Sequence, residues 1–128
     1  MLREAVINKL KTLPEFNGRI YEAFMAPHNA KPPYATIKMA AQSASTAISF
    51  AGENNIEIRI YGEPTSFRLL DELEQEVIAA LNEKYIADSD GNQYYTRWVP
   101  GGMDYTEDER NMIARLIYFA AELLNERS

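Results

Sequence analysis

The sequence predicts an α+β fold, a mixed or antiparallel β-sheet of about four to five strands packed against two main helices. Three observations carry that expectation. The run Asn55-Ile56-Glu57-Ile58-Arg59-Ile60-Tyr61 alternates strictly, with Ile56, Ile58 and Ile60 on one face and Glu57, Arg59 and Tyr61 on the other. Two stripes of apolar residues recur at helical spacing, one early and one central in the chain. The segments run helix, strands, helix, strands, with no internal repeat.

Leu2, Val6, Ile7, Leu10 and Leu13 make residues 2 to 13 an amphipathic helix, which Pro14 and the turn pair Asn17-Gly18 end. Arg19 to Met25 follows as a short strand, and Ala26-Pro27-His28-Asn29 as a turn. Pro32 and Pro33 hold φ near the polyproline value and cannot donate to a ladder. They form a rigid entry to a strand from Tyr34 to about Ala41, where proline does least damage. On it Tyr34, Thr36 and Lys38 share one face, and Ala35, Ile37 and Met39 the other. Residues 42–55 are small and polar, with Ile48 and Phe50 as larger anchors, which predicts a mobile loop or hairpin arm.

Gly62-Glu63-Pro64 breaks the isoleucine strand, and Ser66 is placed to N-cap the next helix. Its stripe is Phe67, Leu70, Leu73, Val77, Ile78, Leu81 and Tyr85, with Glu74 as the polar intrusion. Asp88-Ser89-Asp90-Gly91-Asn92 is a turn, with Asp90-Gly91 as the hairpin pair. Tyr94 to Val99 is a strand that Pro100-Gly101-Gly102 ends. Beyond it, pattern and composition disagree. Thr106 and Glu109 have capping-box spacing, and Met112, Ile113, Leu116, Ile117, Ala120, Leu123 and Leu124 follow at helical spacing, so pattern alone predicts a helix. Arg115-Leu116-Ile117-Tyr118-Phe119 is nonetheless dense in β-formers.

A chain of 128 residues makes one domain, 1–128, with enough length to bury a substantial core. It has no cysteine, hence no disulfide framework and no thiolate metal site. No basic-then-apolar leader opens it and no apolar run is long enough to span a bilayer, so a soluble intracellular product with no membrane partner is expected. The net charge of −6 and the lack of a local Lys/Arg cluster argue against direct nucleic-acid binding.

Candidate chemistry is sparse. His28 is the single histidine, and its neighbours supply neither an acid nor a second ligand, so a solvated turn residue is expected. Asp88, Asp90 and Asn92 have the alternate spacing that opens a calcium loop. Glycine falls at the fourth place instead of the sixth, however, and Val99 stands where a bidentate glutamate is needed. Glu107-Asp108-Glu109 has the charge of a solvated element terminus, and Asp71, Glu72, Glu74 and Glu76 that of a wet helix face. There is no nucleophile elbow and no phosphate loop. The expectation is no enzyme, no cofactor and no metal. Of the tyrosines, most suit sheet packing and some an interface, a division that sequence alone leaves open.

The order of segments, with IYEAFMAP, the Pro-Tyr entry PPYATIKM, the strand IEIRIYGE and the helix SFRLLDELEQEVIAALN, resembles the tail terminator (tail completion) proteins of long-tailed bacteriophages and related prophage particles. Pro33-Tyr34 and Ile58-Arg59-Ile60-Tyr61 carry most of the resemblance, which spans nearly the whole chain. It implies an α+β fold, residues Ala114 to Glu122 as a strand, and no shared catalytic site. It also implies assembly into a ring, typically of six, that stops tail-tube growth and meets the head connector. The protein would then reside in the virion tail after assembly in the host cytoplasm. Ile48, Phe50, Tyr34 and Tyr61 are the candidate partner-binding residues. The arm at 42–55 would pack on a neighbouring subunit or the tail tube, so that deleting Ser43 to Gly52 leaves the fold intact and weakens assembly. Two other classes stay open: an intracellular adaptor that takes a peptide at a sheet edge, and a small enzyme using the carboxylates from Asp104 to Glu109.

Overall fold

The computed structural model describes residues 1–40, 54–107 and 111–125. Helix α1 spans Leu2–Lys11 and buries Leu2, Ala5, Val6 and Leu10, the apolar stripe of its sequence. A single 3-10 turn at Pro14–Phe16 follows, with Asn17 in the left-handed region that ends it. Strand β1 is Ile20–Glu22, β2 Tyr34–Ala40 and β3 Asn54–Gly62. Helix α2 spans Phe67–Leu81, β4 is Lys84–Ala87, β5 Gln93–Glu107 and β6 Met112–Asn125.

The strands form one sheet in the order β1-β2-β3-β6-β5-β4. Only the β1–β2 pair is parallel; the other ladders are antiparallel. Among the described residues the sheet is therefore mixed and has six strands where four to five were expected. The extra one is β4, whose residues 84–85 the helical stripe had absorbed. Glu83, at φ 55°, reverses the chain between α2 and β4. Helix α1 touches both β2 and β4, which lie far apart in the sheet order, so the sheet curls around its helices.

The core fills that concave side. Ile56, Ile58 and Ile60 of β3 align with Phe119, Ile117 and Arg115 of β6, and α2 lays Leu70, Leu73 and Val77 into the same cluster. Cross-strand alignment of β-branched and aromatic side chains is the stabilising unit here. All three isoleucines are fully buried, as their period of two requires.

Three local expectations change. Ser66 holds the N-cap position of α2 but makes no side-chain cap hydrogen bond; its carbonyl accepts from the Leu70 N–H at 3.0 Å. Residues 112–125 are a strand that contains the Ala114 to Glu122 strand the family resemblance implied, against the helix that the spacing predicted. Thr106, half of the supposed capping box, pairs with Ile113 inside β5, and Glu109 lies outside the described residues. Strand β5 also continues past Pro100-Gly101-Gly102 to Glu107, through a register shift between Val99 and Met103. Of the expected arm at 42–55, Asn54 and Asn55 begin β3 and residues 41–53 lie outside the described set.

Candidate functional site

The face of the sheet turned away from the helices collects the aromatics. Register places Tyr34, Tyr61, Ala114 and Tyr105 in one row across β2, β3, β6 and β5. Tyr21 stands beside the row on β1, and Tyr118, Tyr95 and Tyr85 complete the set. Seven of the eight tyrosines thus share this face; Tyr94 alone points into the core. Period-two alternation does this, because each of those strands puts its tyrosine out of phase with its core residues.

Their geometry is specific. Tyr34 stacks on Tyr61 with centroids 4.7 Å apart and planes at 16°, and Tyr21 meets Tyr34 edge-on at 5.8 Å. Ala114, with its single methyl, leaves room between Tyr61 and Tyr105. Burial, then the neighbouring Tyr105 hydroxyl, pushes the Tyr61 phenol above its ordinary value, so it stays protonated at any physiological pH. Tyr34 is only 1% exposed and serves as the hub of this packing. Tyr61 is half-buried. Ile48 and Phe50 lie outside the described residues.

Further along the face, Glu57 and Arg59 project from β3 two residues apart. Arg59 Nη1 stands 3.4 Å from Glu57 Oε2, an ion-pair contact outside hydrogen-bond geometry, and that oxygen is buried without a hydrogen-bond partner. It borders a cleft of about 260 Å³ lined by Asn55, Glu57, Val99, Tyr118 and Phe119. A wider cleft, about 540 Å³, opens where His28, Pro32, Glu63, Pro64, Asn111 and Met112 meet. It places His28 and Glu63 on the rim of one cleft, which sequence spacing did not suggest. Among the described residues no group of three or more side chains is placed to hold a metal ion. Asp88 and Asn92 build their own turn: the Asp88 carboxylate accepts the Asp90 and Asn92 backbone N–H groups, each at 2.9 Å, and the Asn92 side-chain amide.

On the helix side of the sheet the sequence reading missed a charged knot. Arg115, 9% exposed, sits opposite Asp104 and takes both of its carboxylate oxygens, at 2.6 and 3.0 Å. Its Nη1 also reaches Asp71 at 2.5 Å and Glu74 at 3.4 Å on α2. Hydrogen bonding to Asp104 foremost holds the guanidinium's pKa above its ordinary value, so it is permanently charged. The signal was there in principle, since a lone arginine inside MIARLIYFAA must find acids if that run is buried. Asp104, which the enzyme reading needs, is thereby committed to an ion pair.

Strands β1 and β4 close the two ends of the sheet with three and four residues, but β4 pairs only with 93–96 of β5, so among the described residues 98–107 of β5 have no paired strand on that side. Among the described residues no helix is long and apolar enough to cross a membrane.

No protein-family model matches the sequence, and no curated protein matches it either. Solved structures do. A chain from the virion of a native gene transfer agent (GTA) particle superimposes with a TM-score of 0.68 at 15% identity, over 95% of this chain and 93% of the other. A second solved protein, whose name states no function, gives 0.59 at 13% identity, over 99% and 93%. At such identities the likeness is one of fold: this chain and a component of that virion share one architecture over nearly their whole lengths.

Proposed function

We propose that this chain is a structural protein of a phage or phage-derived virion. More narrowly, it is a tail terminator or tail completion protein that assembles as a ring, ends tail-tube growth and mediates head–tail joining. The observation that carries the reading is the architecture shared with a GTA virion chain across 95% of this sequence, which agrees with the family resemblance of the motifs themselves. Its partners are other copies of itself, the tail tube and the head connector, and its place is the virion tail after assembly in the host cytoplasm. Its work is mechanical, done by surfaces, with no catalytic step, cofactor or grip on DNA. The acidic balance suits a ring that lets DNA pass without holding it.

The adaptor alternative rests on the outer side of β5, which β4 covers only at 93–96. Deleting the gene from a particle-producing strain tests the proposal. Electron microscopy should then show tails of uncontrolled length without heads. Tails of normal length joined to heads would contradict it.

A further inference from the structure

Phe24 is 90% exposed, the most exposed large apolar side chain among the described residues, and Met25 beside it is 67% exposed. The pair is not a frayed end. Ala23 N–H donates to the Ile37 carbonyl at 2.9 Å and Met25 N–H to the Glu22 carbonyl at 3.0 Å, pinning the turn to the outer edge of the sheet. Phe24 itself is held at φ 67°, a left-handed conformation that bulky side chains rarely adopt. Lys38 on β2 places its ammonium 5.9 Å from the Phe24 ring centroid. A strained, wet aromatic is costly for the isolated chain, and the cation over it offsets only part of that cost. Contact with something else removes the cost of keeping it in water.

Charge says what that something is. Residues 1–40 carry six Lys or Arg and three Asp or Glu, a net of +3. The described residues from 54 onward carry five and twelve, a net of −7. Helix α1 packs against α2 and β4, but β1 and β2, which carry the Phe24 turn and Lys38, lie at the opposite end of the sheet order from β6, β5 and β4. The outward stripe of α2 exposes Glu72, Gln75, Glu76 and Ala79 at helical spacing. It offers a small, flat apolar landing at Ala79 beside carboxylates.

We infer that the Phe24–Met25 edge of one copy docks on the outward face of α2 of a second copy, with Lys38 against Glu72 and Glu76. The inference rests on the self-assembly reading above and names its contact surfaces. Because the two patches differ, the contact is heterologous; it passes from copy to copy and closes a ring when the rotation per step divides a full turn.

The chain has no cysteine, so single-cysteine variants report contacts cleanly. F24C mixed with E76C under mild oxidation should give the mixed disulfide dimer in several-fold excess over N8C mixed with E76C, and the excess should fall at high salt. Equal yields overturn the contact. Phe24→Asn, which tolerates the left-handed backbone and removes the ring, should hold or raise the monomer's Tm while weakening assembly. A lower Tm with unchanged assembly would place Phe24 in its own chain's packing and sink the inference. The two readings fail separately. A ring in the wild type without F24C–E76C cross-linking removes this contact and spares the ring; selective cross-linking without a closed ring does the reverse.

Discussion

Arg115 and Asp104 face each other across the β5–β6 ladder, and the guanidinium clamps both carboxylate oxygens while its third nitrogen reaches α2. One buried cation thus ties the long hairpin to the helix layer. The Arg115 side chain is 11% exposed but that of Asp71 is 68% exposed, so the partners are worth different amounts. Arg115→Met leaves the acids without their counter-charge. Breaking a buried pair costs more than that, but here the carboxylates can partly rehydrate, so a loss of about 2 kcal/mol is expected. Asp71→Asn should cost under about 0.5 kcal/mol. Urea denaturation of both variants checks the ranking, and equal losses would contradict it.

Thr96 is fully buried and donates its hydroxyl to the Leu81 carbonyl at 2.6 Å. That carbonyl belongs to the last turn of α2, where no intrahelical donor remains. Thr96→Val keeps the shape and leaves the acceptor without its partner, for an expected loss of about 1–2 kcal/mol. Thr96→Ser should retain most of the bond. A Val variant as stable as wild type would show the hydroxyl to be dispensable.

Gly102 lies where β5 bulges against β6. A Cβ there would meet the Leu116 carbonyl oxygen at 2.0 Å, and that oxygen is backbone on the neighbouring strand. Gly102→Ala must therefore push the two strands apart, with an expected cost of about 3 kcal/mol. Amide exchange along 99–106 and 112–118 should quicken in the variant. Unchanged exchange would mean the strands do not approach this closely.

Asp88 supplies a pH dependence. Its carboxylate is held well below the usual carboxylate range, foremost by the Met1 ammonium, then by the Asn92 side chain and the turn's backbone N–H groups, against the opposing effect of burial. A carboxylate whose folded pKa is depressed adds stability above its unfolded pKa, and that stability is lost as pH falls toward the folded value. The Tm difference between wild type and Asp88→Ala should be full at pH 7 and shrink below about pH 4. A difference that stays constant on acidification would assign the effect to packing.

What the sequence revealed depended on whether an element has one covered face. β3 alternates because helices cover only one of its sides, and Ile56, Ile58 and Ile60 mark it. In β6, residues 112–121 are all buried except Tyr118, so no wet face marks the period, and helical spacing arises by chance in an apolar run. Pro100 misled for another reason. It sits in the bulge where register shifts, so its missing N–H costs no ladder bond and the strand passes through. The tyrosine face was hidden because it depends on register between strands distant in sequence. Arg115 announced a need for acids, but nineteen acidic residues offered themselves and only the fold selects Asp104, Asp71 and Glu74.

The central claim is that this chain works by closing on copies of itself. Its most direct test is the solution mass by light scattering across a wide concentration range, at low and at high salt. The account predicts a discrete species near six times the 14.6 kDa chain that grows in with concentration and recedes with salt. A mass that stays at 14.6 kDa up to the highest concentration reached would contradict it.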